Sequence, residues 1–109
     1  MDIKRYDHKV VLVTGGTSGI GRATAAAFAR EGGQVIIAAR RENLGNEVVR
    51  DIESGGGKAI FVKTDIRVPS DIDRLFQEIR DRFGRLDVAF NNAGLSSSTV
   101  PPAAKITEE

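Results

Sequence analysis

The segment Val10–Thr14, VVLVT, is an unbroken run of aliphatic and β-branched residues that leads straight into a glycine-rich turn, Gly15 to Gly21. Continuous runs of this kind suit a strand covered on both faces, as in a parallel sheet. The next stretch, IGRATAAAFAR, is rich in alanine and favours a helix that stops at Gly32-Gly33. A buried strand, a glycine turn and a helix, in that order, constrain the fold more than any other feature of the chain.

The same alternation recurs downstream. QVIIAA, Gln34 to Ala39, predicts a second buried strand. Leu44, Val48 and Ile52 then form one stripe of a helix, ended by Gly55-Gly56-Gly57. AIFVKTD, Ala59 to Asp65, predicts a third strand. Pro69 opens a third helix whose Ile72, Leu75, Phe76, Ile79 and Phe83 share a face, and Gly84 stops it. LDVAFNN, Leu86 to Asn92, predicts the fourth strand. The order β-α-β-α-β-α-β implies parallel strands joined by right-handed crossovers. The expected architecture is α/β: a partial, Rossmann-type doubly wound parallel sheet, four strands in spatial order 3-2-1-4 with three helices. The first two helices should cover one face and the third the other, because the third crossover runs the opposite way.

Composition narrows the function classes. At 109 residues the chain is one small domain at most. Sixteen basic against fifteen acidic residues leave the charge near neutral, which argues against nucleic acid or an anionic membrane as partner. The absence of cysteine excludes disulfides, thiolate metal ligands and a Cys nucleophile, and fits a reducing cytoplasm. The start, MDIKRYDHK, is too polar for a signal peptide, and no apolar run approaches the ~20 residues of a membrane span.

The glycine turn follows a strand and opens a helix, the context a dinucleotide fingerprint needs. Free N–H groups and the positive dipole end of the helix from about Gly19 can hold a pyrophosphate. Gly15 permits the sharp turn, Gly19 lets the backbone approach the ligand, and Gly21 lets helix and strand pack closely. No lysine follows the last glycine, which speaks against a nucleoside-triphosphate loop. A purely structural strand-to-helix turn is the competing reading.

The spacing Thr14-Gly15-x-x-x-Gly19-x-Gly21, together with NNAG from Asn91 to Gly94, resembles the short-chain dehydrogenase/reductase family. Asp65 at the end of the third strand and FGRLD, Phe83 to Asp87, match as well, and the resemblance runs from about Asp7 to Glu109. It implies an NAD(P)(H)-dependent oxidoreductase acting on carbonyls or alcohols. Carried over by position, Thr14, Gly15, Thr17, Ser18, Gly19, Ile20 and Gly21 would line the pyrophosphate and adenosine ribose. Asp65 and Ile66 would border the adenine. Asn91, Ala93 and Gly94 would sit beside the ribose and brace the central strands. Residues 1–94 then form the dinucleotide-binding half-domain, and residues 95–109 a loop and the start of a helix.

The cofactor type follows from the second strand's end. A carboxylate there would bind the ribose 2′-OH of NAD and repel a 2′-phosphate. Here the strand ends Ala38-Ala39-Arg40-Arg41, with no carboxylate until Glu42. Arg40, and Arg41 beside it, offer planar cations to a phosphate, so NADP(H) is expected over NAD(H). Ser18 can add a hydroxyl. A solvated helix start is the alternative role for the two arginines.

Catalytic residues are not found in these 109 positions. The family resemblance implies an Asn-Ser-Tyr-Lys group, with Tyr and Lys four residues apart on a helix beyond the fourth strand. The only tyrosine, Tyr6, lacks that lysine, and packing or exposure is its simpler role. His8 reads as a surface residue. Ser96 to Ser98 have no base in view, and no metal-ligand constellation stands out. Thr107-Glu108-Glu109 has the character of a helix opening, so the chain reads as cut at an element boundary. Three readings follow: the NADP(H)-binding part of a reductase, inactive alone; an enzyme completed by a partner chain; and a non-catalytic nucleotide-binding or interaction module. Self-association through the fourth-strand edge and an uncovered sheet face is also expected.

Overall fold

The structure is a computed structural model, which describes residues 6–15, 17 and 19–91. Its elements are β1 (Val10–Thr14), α1 (Gly19–Arg30), β2 (Gln34–Ala39), α2 (Glu42–Ser54), β3 (Lys58–Lys63), α3 (Pro69–Phe83) and β4 (Val88–Asn91). The strands form one parallel sheet in the order β3-β2-β1-β4, as the sequence pattern predicts.

Position in the sheet explains each strand's burial. β1 is buried along its whole length, and β2 at its four middle residues. Both are inner strands with a helix layer on each side. β3 and β4 are the edges. There Ile60, Phe61, Ala89 and Phe90 are only half-buried, so the fourth strand is less covered than its apolar sequence suggests. The edges also shift the boundaries. β3 begins at Lys58 and ends at Lys63, and β4 begins at Val88 and ends at Asn91.

The two faces divide as the crossover rule requires. On one, Ala25 and Ala29 of α1 and Val48 and Ile52 of α2 pack on Val11, Val13, Val35, Ile37, Ala59 and Val88. On the other, Leu75 and Ile79 of α3 pack on Val10, Leu12, Ile36, Ala38 and Val62. β3 and β4 lie at opposite edges, so α3 must cross back over β2 and β1. A right-handed crossover in that direction places it on the second face. Alanines at the α1 contact keep that helix close to the sheet. Arg22 of α1 and Asp51 of α2 form an ion pair across the first face. Tyr6 packs edge-on against Phe28 with ring centroids 4.8 Å apart, and its N–H donates to the Glu31 carbonyl at 2.8 Å. The packing role expected of Tyr6 is the one it has, and His8 is exposed.

Candidate functional site

The strand order reverses between β1 and β4, and parallel sheets open a crevice at such a point. Thr14 lies opposite Asn91 there, and Ala38 of β2 lies on the other side of Thr14. The buried Thr14 hydroxyl donates to Asn91 Oδ1 at 3.0 Å. The two family-like motifs therefore touch through side chains across the seam.

The turn after β1 leaves the sheet at once. Gly15 adopts a left-handed conformation, φ 68°, and its N–H donates to the Ala38 carbonyl at 2.9 Å. Gly19, the first residue of α1, is also left-handed at φ 56°, and a Cβ built on it would meet no atom within 4 Å. The space at Gly19 is open, and the backbone is exposed where a ligand must come near. The first turn of α1 carries no acidic residue to compete for its N–H groups. Ile20 beside it is 70% exposed. Thr17 is half-buried and Gly21 is buried against the sheet. Ser18, Ala93, Gly94 and the segment from Ser96 to Glu109 lie outside the described residues.

Two further strand ends complete the mouth. Arg40 follows the last residue of β2, and Arg41 is the N-cap position of α2, where its side chain makes no capping bond. Neither guanidinium forms an ion pair among the described residues. One strand over, the Thr64 N–H donates to the Ala39 carbonyl at 2.8 Å, which sets Thr64 level with Arg40, with Asp65 and the half-buried Ile66 following directly. Arg67 grips Asp65, donating from its N–H to Oδ1 at 3.0 Å, from Nε to Oδ1 at 3.1 Å and from Nη2 to Oδ2 at 3.1 Å. These side-chain bonds, then the backbone bond, hold the Asp65 carboxyl below the usual carboxylate range against the opposing effect of burial, and the nearby charges of Arg67 and Arg40 add to the lowering. The Asp65 N–H donates to Asp71 Oδ2 at 2.9 Å, and Asp71 in turn pairs with Arg74.

Sequence reasoning missed Arg67. The Asp-x-Arg spacing after a strand is the signature of a turn in which an Asp side chain accepts the N–H two residues on, and this signal was available. It also left FGRLD without a role. Asp87, 7% exposed, accepts the Val10 N–H at 2.8 Å and pairs with Arg85. Burial pushes its carboxyl up, but the Arg85 and Val10 hydrogen bonds and the charges of Arg85 and Lys9 outweigh burial and hold it low.

A shallow groove lined by Ala26, Ala29, Arg30, Asp51, Ile52 and Gly55 to Gly57 lies at the C-terminal ends of α1 and α2, the far end of the sheet from the glycine turn. It is separate from the mouth just described. Among the described residues no group of His, Cys, Asp and Glu could hold a metal ion, and no helix is long and apolar enough to cross a membrane.

A parallel sheet with a glycine turn at its reversal point defines a dinucleotide-binding class of α/β protein. The sequence profile of the short chain dehydrogenase family matches residues 9–109, and the protein belongs to that family. Its members use NAD(P) dinucleotide cofactors. The chain is 48% identical over 98 residues to a 3beta-hydroxysteroid dehydrogenase of Mediterraneibacter gnavus, a match covering 88% of this chain and 36% of that protein. The structure resembles a hydroxysteroid dehydrogenase from Escherichia coli, with TM-score 0.78 and 30% identity, over 83% of this chain and 38% of the other. It also resembles the apo form of a glucose dehydrogenase of Caenorhabditis elegans, with TM-score 0.78 and 36% identity, over 87% and 41% of the two chains. The chain thus spans well under half the length of these relatives.

Proposed function

We propose that the chain is the NADP(H)-binding part of a carbonyl/alcohol oxidoreductase. The observation that carries the cofactor choice is Arg40. It stands directly beyond β2, after Ala39, with no ion pair among the described residues. A carboxylate at Ala39 would favour a ribose hydroxyl, whereas a cation in the next position favours a phosphate. The open space at Gly19 and the exposed start of α1 fit a pyrophosphate, with Thr14, Gly15, Thr17, Ser18, Ile20 and Gly21 completing that part of the site. Asp65 and Ile66 border the adenine, and Asn91, Ala93 and Gly94 the ribose side. Arg41 adds positive charge beside Arg40. The cofactor supplies the hydride; these residues bind and orient it.

Charge-assisted contacts to the 2′-phosphate are worth about 1.5–3 kcal/mol, so NADPH should bind at least about tenfold tighter than NADH. Titration of both by calorimetry tests the reading. Arg40→Ala should bring the two affinities together, and Ala39→Asp should move the preference towards NADH. Equal affinities in the parent protein would refute the NADP(H) assignment. By itself this stretch should bind cofactor without turnover, because it offers no Tyr-Lys pair. We further propose a cytoplasmic protein whose partners are the cofactor and a second copy of the chain.

A further inference from the structure

We propose that Arg67 is a specificity-determining residue: by holding Asp65 it keeps Arg40 available for a ligand phosphate. This inference rests on the NADP(H) reading. Ala39 lies opposite Lys63, and the bond from Thr64 to the Ala39 carbonyl carries the register one step further. Arg40 therefore leaves β2 level with Thr64, one residue before Asp65 on the neighbouring strand, near enough for its charge to act on the Asp65 carboxylate. A carboxylate so placed, without another partner, would draw the Arg40 guanidinium to itself. An incoming phosphate would then have to displace a carboxylate and face its repulsion.

The local geometry prevents this. Both oxygens of Asp65 are occupied by the fork of Arg67, and the Arg67 N–H adds a third bond. The turn that presents Asp65 is fixed in its own right, because the Asp65 N–H is held by Asp71 and Asp71 is paired with Arg74. Asp65 and Asp71 thus each have their own arginine, and Arg40 and Arg41 form no ion pair among the described residues. The Arg67 side chain is 58% exposed, so its hold on Asp65 is a bias and not a lock. A bidentate fork is needed to occupy both carboxylate oxygens, and a lysine supplies charge without that geometry.

The test uses ligands that reach only this end of the site. Binding of 2′,5′-ADP and of 5′-AMP to the purified protein is measured by calorimetry at low salt, and the ratio of affinities reports the 2′-phosphate contact. Arg67→Ala should lower that ratio about tenfold, the effect of one freed charge in a partly screened site. Arg67→Lys should lie between the parent and Arg67→Ala. Asp65→Asn combined with Arg67→Ala should restore the parent ratio, since no carboxylate remains to capture Arg40. Thermal melts of each variant check that it is folded. A ratio unchanged by Arg67→Ala, or not restored in the double variant, overturns the inference while leaving the NADP(H) reading intact. A parent protein that does not prefer 2′,5′-ADP overturns both.

Discussion

Gly45 shows how one residue can oppose the preference of its own helix. It lies inside α2, where alanine would favour the helix by about 1 kcal/mol. The half-buried ring of Phe61, on β3, lies against the helix backbone at that point, and a Cβ on Gly45 would overlap it. Overpacking of this kind costs about 1–3 kcal/mol. Gly45→Ala is therefore expected to lower stability, by about 1 kcal/mol in chemical denaturation, despite the better helix former. Truncating the ring in a Gly45→Ala, Phe61→Ala pair should remove the conflict and leave the propensity gain. A more stable Gly45→Ala protein would mean that the ring swings aside at little cost.

Between elements, Asp87 joins the ends of β1 and β4. The Val10 N–H donates to its carboxylate, and its own N–H returns a bond of 2.9 Å to the Val10 carbonyl. Asp87→Ala would leave a buried N–H and Arg85 without this partner. The expected loss is about 2–3 kcal/mol, read from urea unfolding. The pH dependence has a definite sign. The folded carboxyl is held below its unfolded value, so its contribution is complete above the unfolded pKa, about 4, and fades as pH falls through the lower folded value. Melts between pH 7 and 3 should show a decline that is shallower in Asp87→Asn. Equal slopes in the two proteins would remove Asp87 from the account.

Much at this scale was legible in the sequence. VVLVT and QVIIAA announced the two inner strands, because residues covered on both faces must be apolar throughout. The glycine stops and the stripe from Ile72 to Phe83 located α3. Lys58 and Leu86 misled the strand starts, since at a sheet edge the pattern no longer reports pairing: β3 begins one residue before the apolar run and β4 two residues into it. The grips on Asp65 and Asp87 join residues two apart in loops and residues 77 apart in the chain. No hydrophobic period encodes either.

For the whole molecule, the two edges of the sheet differ. β3 carries exposed Lys58 and Lys63 at its ends, and edge lysines discourage pairing with another chain. Val88, Ala89 and Phe90 of β4 bear no charge and face no further strand among the described residues. Association of two copies is therefore expected through β4 and not through β3. Light scattering over a dilution series should show it, with hydrogen exchange at Val88 to Phe90 slowing as concentration rises. A monomer at all concentrations, with fast exchange in that strand, would contradict the expectation. Ala89→Lys should restore the monomer while leaving the β1–β2–β3 part of the sheet protected.

The seam between β1 and β4 carries one more consequence, for the order in which the chain can assemble. β1 meets β2 after a single helix, so that pairing closes a short loop. It meets β4 only after the other two crossovers, with Val10 and Asp87 77 positions apart. Loop closure grows more costly with length, so β1, β2 and β3 can come together before α3 folds back and delivers β4. The line along which the sheet closes last is the same line at which its strand order turns. A dinucleotide that touched both margins of that line would act as a clasp, favouring the closed chain by mass action over every state in which β4 has yet to dock.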